Sequence, residues 1–549
     1  MIEISTSAAS GPDAESLRER RLSFDLDVDI CIVGAGLAGL TVALETARLG
    51  ASVAVLEGRH VGWNASGHQL GTVLPGFGLP VADVIERVGF ETTRELWSLS
   101  KQGVELIRAL ATEEQIPGIN FSEGALEVSN VDAGDRLLRR LQMLHDDFAI
   151  EAEGWQVERV RDQLRTDRYF HGIYYPKAFQ IDGRRYVHGL AALARRAGAR
   201  IFEDTPVVSI DASGVRKRII TPTARLRASH IVLAGNVHLG TPLQRLSDTV
   251  LPVWRYAGVS VPLGGRLSAA IAFRGSVRDG DGIDHFRVVD GDRLMWASPE
   301  TTWPMRPRRF AGAIARRIRT IFPQLGDVEI EEAFGGVTGE TVHGMPQIGQ
   351  LQKGLWVASG FGRQGLTTSA MAGHLIARGI LWGDERWRLF SPFELVWAGG
   401  PIGRVAGQIV GLWGRGSSAA AGALSRYRER VRAKEKIREA RLAEDNRQAG
   451  VRQAGVRKAG VRQAGLRPAM HGRPASEQAA SGPTRPPRRS RPVRPAPPPP
   501  VQLREAEGHV EPMDPVPGAL PQVEPPHDPV ANAEAAISQE SEKLPLPPV

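Results

Sequence analysis

The sequence predicts an α/β fold. A dinucleotide-binding domain of the Rossmann type is interrupted along the chain by a second domain with a largely antiparallel sheet, and a disordered tail follows. An apolar strand runs directly into the glycine turn "IVGAGLAGL", and residues 250–335 alternate apolar and polar positions, as in "HFRVVDGDRLMWAS". A chain of 549 residues also exceeds the size at which one core ordinarily suffices, about 250 to 300 residues.

The first folded element follows a polar N-terminal segment, residues 1–26, which we expect to be flexible and which lacks the apolar stretch of a secretory signal. Strand, glycine turn, helix and strand then follow one another in "DICIVGAGLAGLTVALETARLGASVAVLE". Gly34 permits the tight turn, Gly36 lets the backbone approach a pyrophosphate, and Gly39 lets the helix pack closely on the strand. Glu57 ends the next strand, where a carboxylate can accept hydrogen bonds from a ribose.

The rest of the folded chain is predicted to alternate between the two domains. A second α/β unit contains the helix "RRYVHGLAALARRAG" and the strand "ASHIVLAGN", and a final strand, turn and helix read "GLWVASGFGRQGLTTSAMAGHLIARGILWG". Residues 27–90, 185–248 and 335–390 are therefore predicted to form the discontinuous cofactor-binding domain. The predicted substrate domain comprises residues 91–184, which are rich in charged helical segments, and residues 249–334.

The C-terminal part has two sections. Residues 391–414 are apolar and glycine-rich, with Glu394 and Arg404 as interruptions. This section could lie on a membrane surface, although packing on the core as a terminal helix is favoured. Residues 415–549 are first basic and then proline-rich, and such a composition predicts a disordered tail.

The net charge of +8 resides entirely in that tail. Residues 1–414 carry 46 basic and 46 acidic side chains, whereas residues 415–549 carry 23 and 15. The tail is thus the candidate for weak contact with an anionic surface. No specific nucleic-acid binding is expected, because Tyr427 is the only aromatic residue in the basic section.

The cysteine content and the absence of metal-binding motifs exclude two kinds of site. The single cysteine, Cys31, excludes an intramolecular disulfide and a multi-cysteine metal site. The sequence has no HExxH motif and no clustered His, Cys and Asp, so no metal is predicted. A reducing, cytoplasmic compartment is expected, and peripheral association with a membrane is left open.

Five motifs together carry a family resemblance: "IVGAGLAGL" with "VLE", "GWNASG", "ASHIVLAGN", "HGMPQIG" and "GLWVASGFGRQGL". Over residues 27–390 the chain resembles the FAD-dependent oxidoreductases of the D-amino acid oxidase superfamily, particularly the glycine oxidase, sarcosine oxidase and gamma-glutamylputrescine oxidase branches. The resemblance implies a discontinuous FAD-binding domain and a second domain whose antiparallel sheet roofs the substrate cavity.

The resemblance also implies the reaction. A hydride leaves a carbon that bears an amine, water hydrolyses the resulting imine, and the electrons pass to oxygen or to another acceptor. The expected substrate is a small amine or amino acid that carries a carboxylate. The alternatives are a polyamine derivative of the gamma-glutamylputrescine type, or a flavoprotein whose basic tail binds nucleic acid or membrane.

The residues implied for FAD lie in four short stretches. They are Gly34, Gly36, Gly39 and Glu57; Ala65, Ser66 and Gly67; Val208; and Gly360, Gly362, Gln364, Gly365 and Leu366. Some relatives attach FAD through a histidine of the second stretch, but Ser66 holds that position here and His68 is displaced from it. Others use a downstream cysteine, which this chain lacks. Noncovalent FAD is therefore favoured.

Arg363 is the candidate for substrate binding. The glycine oxidase branch reads like "GHFRNGI" where this chain has "GFGRQGL", and in that branch the arginine binds the substrate carboxylate. A guanidinium offers a planar two-pronged donor that suits a carboxylate. The competing interpretation is an arginine that points into solvent.

Other candidates have equally good structural explanations. Tyr174 or Tyr175 could contact substrate or pack in the core, and His343 could handle protons or be structural. Trp254, Arg255 and Tyr256 could line the cavity, with alternation placing Arg255 on the opposite face from the two aromatic residues. No general base is assigned.

Overall fold

Two β-sheets organise the chain in the computed structural model, which describes residues 21–463 except 115, 241–242 and 281–283, with residues 442–463 described by backbone alone. The chain divides into two compact units, Met1–Ala459 and Gly460–Val549. Both sheets belong to the first unit.

The strands of the described residues are β1 (Leu26–Val33), β2 (Val53–Leu56), β3 (Thr72–Val73), β4 (Ser122–Val128), β5 (Glu153–Trp155), β6 (Gly172–Gln180), β7 (Arg200–Phe202), β8 (Ser209–Asp211), β9 (Lys217–Ile220), β10 (Arg225–Leu233), β11 (Leu251–Ser260), β12 (Ser276–Asp279), β13 (His285–Val289), β14 (Arg293–Ala297), β15 (Ile330–Glu340), β16 (Gln347–Gln352) and β17 (Leu355–Ser359).

The helices are α1 (Leu37–Arg48), α2 (Val81–Val88), α3 (Phe90–Thr112), α4 (Gly134–Asp146), α5 (Val157–Leu164), α6 (Gly183–Arg196), α7 (Gln244–Ser247), α8 (Gly265–Ala270), α9 (Arg308–Ile321), α10 (Gly365–Trp382) and α11 (Gly400–Gln463). Short 3-10 helices span Asn236–His238, Pro323–Leu325, Gly362–Gln364 and Arg386–Phe390.

The first sheet has a parallel centre. Its strands run in the order β16-β17-β10-β1-β2-β7, with the β8–β9 hairpin attached to β10. Strand β1 pairs in parallel with both β10 and β2, and β10 pairs in parallel with β17. The central strands are buried on both faces, which explains why they read as nearly continuous apolar runs such as "ICIV" and "IVL".

The second sheet is largely antiparallel, as the alternation in residues 250–335 predicted. Its order is β15-β11-β14-β13-β12-β4-β6-β3, with β5 attached to β6. Only the β12–β4 pairing is parallel among these neighbours. Phe286 of β13 stacks on Trp296 of β14 at 4.3 Å between ring centroids, and these rings belong to the core on one face of the sheet. The fold class predicted from the sequence is confirmed.

Three smaller differences from the expectations concern the N-terminal segment, strand β3 and residues 91–184. Residues 22–26 are ordered, because Leu22 is fully buried and its amide donates to Thr205 Oγ1 at 3.1 Å; residues 1–20 lie outside the described part of the chain. Strand β3 joins the second sheet although its residues lie in the predicted cofactor segment 27–90. Residues 91–184 contribute three strands besides their helices.

Helix α11 is the largest difference. It begins in the predicted apolar section, with Pro401 in its first turn, and continues to Gln463 through part of the range expected to be disordered. Proline at a helix start is preorganised for the helix, and no other proline occurs until Pro468. Alanine, glutamine and arginine of the repeated "QAGVR" unit favour helix. The rest of the expected tail, residues 464–549, lies outside the described residues.

No helix among the described residues combines the length and hydropathy needed to cross a bilayer.

Candidate functional site

The carboxyl ends of the adjacent parallel strands β17, β10, β1 and β2 meet at one edge of the first sheet. Each strand runs directly into a turn, at Gly360, Ala234, Gly34 and Glu57 respectively. In open α/β sheets ligands bind in the crevice outside these carboxyl ends. The fold therefore brings together three segments that are far apart in the sequence and that were predicted to bind the cofactor.

The glycine turn after β1 leaves no room for side chains. Gly34 has a φ of +112°, its amide donates to the Leu56 carbonyl at 2.9 Å, and an added Cβ would lie 2.8 Å from the Ala234 carbonyl oxygen. A Cβ at Gly39 would overlap the Gly34 carbonyl oxygen and come within 3.0 Å of Ile32. Both glycines are needed so that α1 can pack against β1 and β10.

The N-terminus of α1 is capped from another segment. Gly36 is the N-cap and provides no side chain, but the Leu37 amide donates to Ser66 Oγ at 3.2 Å. A Cβ at Gly36 would lie 3.0 Å from the same oxygen. Amides at a helix N-terminus and the helix dipole together favour phosphate. The predicted residues Gly36 and Ser66 thus lie side by side at a place suited to a pyrophosphate.

Glu57 lies beside the glycine turn and is 7% exposed. Its Oε2 accepts the Ala35 amide at 2.8 Å, and its Oε1 accepts the Arg59 amide at 2.9 Å. Burial raises the pKa of the carboxyl, against the lowering effect of these two amides. The Trp63 side chain is a third hydrogen-bond partner of this carboxylate. A carboxylate has about four acceptor positions, so one remains for a ribose hydroxyl.

The loop that carries Ala65, Ser66 and Gly67 is fixed to the second sheet by Asn64. The Asn64 side chain donates to the Val337 carbonyl at 3.0 Å and accepts the Val337 amide at 2.9 Å. A Cβ at Gly336 would lie 2.8 Å from Ala65 Cα, so β15 passes directly against this loop. Asn64 was not among the residues predicted from the sequence. Its place in the motif "GWNASG", next to Ala65 and Ser66, could have identified it.

His68 has a structural explanation. Its Nδ1 lies 2.9 Å from the Asn64 carbonyl oxygen, and burial lowers the pKa of its ring. The single cysteine, Cys31, is buried within β1, and burial raises the pKa of its thiol well above the usual range. These placements agree with the preference for noncovalent FAD, which stays a prediction.

The turn after β17 is tied to the end of β10. Gly360 has a φ of +70°, and its amide donates to Asn236 Oδ1 at 3.2 Å. Gly362 and Gln364 then form a short 3-10 helix that leads into α10, where Gly365 is the first residue and Leu366 is buried. The predicted residues of this stretch therefore border the same crevice as the glycine turn, with Asn236 as a link that the sequence did not reveal.

The Val208 side chain does not belong to the group of residues that border the crevice. That side chain is 52% exposed, and its amide donates to the Ile220 carbonyl at 2.8 Å in the β8–β9 region.

Arg363 belongs to a cluster of four charged side chains. Its Nη2 donates to Glu300 Oε2 at 3.1 Å, while its side chain is 52% exposed. Arg255 of β11 binds the same Glu300 at 2.8 Å and also bonds Glu340 and Thr338. The sequence offered a substrate carboxylate or water as the partner of Arg363, and the structure provides Glu300 instead.

The electrostatics of this cluster are balanced. Burial opposes ionisation of Glu300, but the guanidinium groups of Arg255 and Arg363 outweigh it and hold the Glu300 pKa at about 2. Two carboxylates therefore face two guanidiniums, and the cluster carries no net charge. Such a group can orient a ligand that brings one charge of each sign.

The face of the second sheet away from the aromatic core carries further polar residues. His285 and Arg287 alternate with the core residue Phe286 along β13, so both lie on the opposite face. Thr72 Oγ1 lies 3.0 Å from His285 Nε2, and Arg287 Nη2 would lie 3.4 Å from a Cβ at Gly71. The loop that ends at Gly71 thus covers this polar face.

Arg287 is unusual among the described arginines. It is 6% exposed, its Nε has no hydrogen-bond partner, and burial lowers its pKa to about 10. Sequence reasoning did not identify it, because one arginine in an alternating strand reads as a solvent-facing position.

The remaining candidates are explained by packing. Tyr174 stacks on Trp155 at 4.8 Å, and Tyr175 is buried with its pKa raised to about 12 by burial. Tyr256 stacks on Phe310 at 4.3 Å, and Trp254 lies beside the Arg404 guanidinium.

His343 is also held by structural contacts. Its Nδ1 accepts the Met345 amide at 3.2 Å, its Nε2 lies 3.2 Å from the Glu394 carbonyl oxygen, and burial lowers its pKa. No group of three or more potential metal ligands occurs within the described residues.

Comparison with known families matches residues 29–378 to the model described as "DAO: FAD dependent oxidoreductase". The probable oxidoreductase OrdL of Haemophilus influenzae is 26% identical over 67% of this chain and 86% of its own length. The gamma-glutamylputrescine oxidoreductase of Escherichia coli is 27% identical over 67% of this chain and 87% of its own length.

Among solved structures, the glycine oxidase of Bacillus cereus superposes with a TM-score of 0.55. The match has 20% sequence identity and covers 66% of this chain and 98% of the glycine oxidase chain. This likeness shows that the two chains share a fold.

Proposed function

Because the chain belongs to the DAO family of FAD dependent oxidoreductases, we propose that it oxidises an amine or amino acid that also carries a carboxylate, and that Arg363 binds this carboxylate. The observation that carries the proposal is the position of Arg363 in the turn between β17 and α10, next to the crevice. Only its Nη2 has a partner among the described residues. Nε and Nη1 are available for a ligand.

The residues of the crevice fit FAD. Gly36 permits a close approach, and the N-terminus of α1 directs the positive end of the helix dipole toward a pyrophosphate. Glu57 lies beside this turn, where it can accept a hydrogen bond from a ribose hydroxyl. Bound FAD supplies the oxidant that accepts a hydride from the amine-bearing carbon. The protein's part is to bind and orient the substrate and to neutralise charge.

The balanced cluster supports a substrate with both charges. A carboxylate could pair with the free nitrogens of Arg363, and an ammonium group could approach Glu300 or Glu340. Glu300 stays ionised throughout the neutral range because its pKa is about 2.

The test is anaerobic bleaching of the flavin by a panel of carboxylated amines and carboxylate-free polyamines, with wild type and Arg363→Ala. Loss of a charge-assisted hydrogen bond predicts a rise in KM for carboxylated amines of about tenfold to hundredfold. Arg388→Ala is the matched control, since Arg388 also forms an exposed ion pair, with Glu385 at 2.7 Å. Equal bleaching of wild type and Arg363→Ala by carboxylated amines would refute the role of Arg363.

A second candidate is oxidation of a polyamine derivative, the activity named for the Escherichia coli relative. The pairing of Arg363 with Glu300 favours it, because Arg363 would then position a carboxylate that attracts a cationic amine. Glu300→Gln separates the two candidates. It should weaken reduction by carboxylate-free polyamines, whereas a substrate held mainly through its carboxylate should lose less.

A further inference from the structure

Helix α11 lies on the body of the protein through small and polar side chains. A Cβ at Gly407 would lie 3.0 Å from Leu251, so this glycine permits close contact. Gln408 Oε1 accepts the Thr302 amide at 2.9 Å, and Asn130 donates to Ser418 Oγ at 2.8 Å. These contacts recur at helical spacing and fix which side of α11 faces the protein.

The opposite side of α11 is apolar and faces outward. Trp413 is 80% exposed and Ile402 is 76% exposed. The exposed large side chains of this side, together called the apolar stripe, are Ile402, Val405, Ile409, Val410, Leu412, Trp413, Leu424 and Tyr427. An ordinary surface helix buries its apolar side and exposes its polar side. Helix α11 has the reverse arrangement, so its outer side lacks the partner that it needs.

The segment that precedes α11 enlarges the exposed apolar surface. Leu395, Val396 and Trp397, which precede the helix, are also exposed, and Trp397 is 63% exposed. The neighbouring Trp303 is exposed as well. An exposed apolar surface of this extent marks an interaction site.

The charges around the stripe are predominantly positive. Residues 395–428 contain no aspartate or glutamate, and the following residues 428–441 contain seven basic and three acidic side chains. The seven are Arg428, Arg430, Arg432, Lys434, Lys436, Arg438 and Arg441, and all are exposed. Arg430 and Arg432 also pair with Asp167 and Asp132 of the protein body, at 3.6 and 3.1 Å. The stripe is therefore followed along the helix by a basic surface to which the other five cations contribute without an ion pair of this kind among the described residues.

We propose that the apolar stripe docks α11 onto the surface of an anionic lipid bilayer, with residues 428–441 contacting the lipid head groups. Tryptophan and aliphatic side chains beside a basic run are the features of helices that lie in the membrane interface. The helix lies on the surface and does not cross, because its other side is occupied by polar contacts with the protein. A second copy of the chain is disfavoured as the partner, since two basic surfaces would approach each other.

The experiment measures sedimentation of the full-length, FAD-loaded enzyme with vesicles of phosphatidylcholine alone or mixed with phosphatidylglycerol. Wild type should sediment with the anionic vesicles. The double variant Ile409→Ser/Trp413→Ser should bind at least about tenfold more weakly. Val215→Ser is the matched control, because Val215 is 86% exposed and lies outside the stripe, and it should bind like wild type.

Two further readouts keep the proposal falsifiable. Flavin content and bleaching by substrate should be the same in wild type and in both variants, which shows that the fold is intact and separates this result from that of the proposed reaction. Failure of wild type to bind anionic vesicles, or equal binding by the stripe variant, would overturn the proposal. So would a lipid-free dimer that the stripe variant dissociates, because the stripe would then be an interface between copies.

Discussion

At the scale of single residues, Gly39 is the position in the glycine turn where a side chain is least tolerated. An added methyl group there would overlap the Gly34 carbonyl oxygen and press on Ile32. Overpacking of this kind costs about 1–3 kcal/mol. Gly39→Ala should therefore lower the free energy of unfolding by this amount and reduce the ratio of flavin to protein in the purified enzyme.

The matched control is Gly312→Ala. Gly312 lies in α9, and an added Cβ there meets no atom within 4 Å. Because alanine is the better helix former by up to about 1 kcal/mol, this variant should be equally or more stable than wild type. Full flavin content in Gly39→Ala would contradict the packing argument.

Arg287 predicts a different combination of effects. Burial lowers the pKa of the Arg287 guanidinium although Asp182 and Asp290 act in the opposite direction, and its Nε has no hydrogen-bond partner. A desolvated charge of this kind destabilises the fold, so we expect it to act on a ligand. Arg287→Met should lower kcat/KM by about tenfold or more, while thermal unfolding shows equal or higher stability. Arg274→Met, which removes an exposed arginine bonded to the Gly291 carbonyl, is the control. Unchanged kinetics in Arg287→Met would assign Arg287 a purely structural role.

At the scale of elements, Asn64 joins the Ala65–Gly67 loop to β15. Asn64→Ala leaves the amide and carbonyl of Val337 without these partners, which should cost about 1–3 kcal/mol for a buried group. The loop should then hold FAD less firmly, and urea should release flavin at a lower concentration than in wild type. Thr223→Ala, which removes one hydrogen bond to Leu22 on another part of the sheet, should retain FAD normally.

Elements with a local sequence signal were predicted well. The turn from β1 into α1 depends on glycines and an apolar run that are contiguous, and the alternation in β13 and β14 follows from one buried face. Strands β4, β5 and β6 were hidden among charged helical segments, because their partners are distant in the chain. Helix α11 was read as disordered past residue 414, since periodic glycines obscured its helical propensity.

For the whole molecule, His285 predicts the response to acid. Burial lowers the pKa of His285 to about 3, below its unfolded value of about 6.5. Between these values the unfolded chain binds the extra proton, so the free energy of unfolding falls as pH drops from about 6.5 toward 3. His285→Gln keeps a partner for Thr72 and should make the decline between neutral and mildly acidic pH shallower, as measured by urea unfolding.

An unchanged slope in that variant would mean that other groups dominate acid unfolding. Glu300 is distinguishable, because its pKa of about 2 lies below the usual carboxyl value. Its contribution to stability is complete above about pH 4.5 and is lost only at lower pH.

The sequence by itself determined the fold class and predicted the segments that border the crevice, because a glycine turn, a helix start and a strand end are local patterns. Only the tertiary structure decided which side chains pair with one another and which face of α11 is exposed. Arg363 meets Glu300, Asn236 links Gly360 to the end of β10, and α11 turns its apolar side outward. The reason is that hydrogen bonds, ion pairs and burial depend on which distant segments meet, and spacing along one chain does not record this.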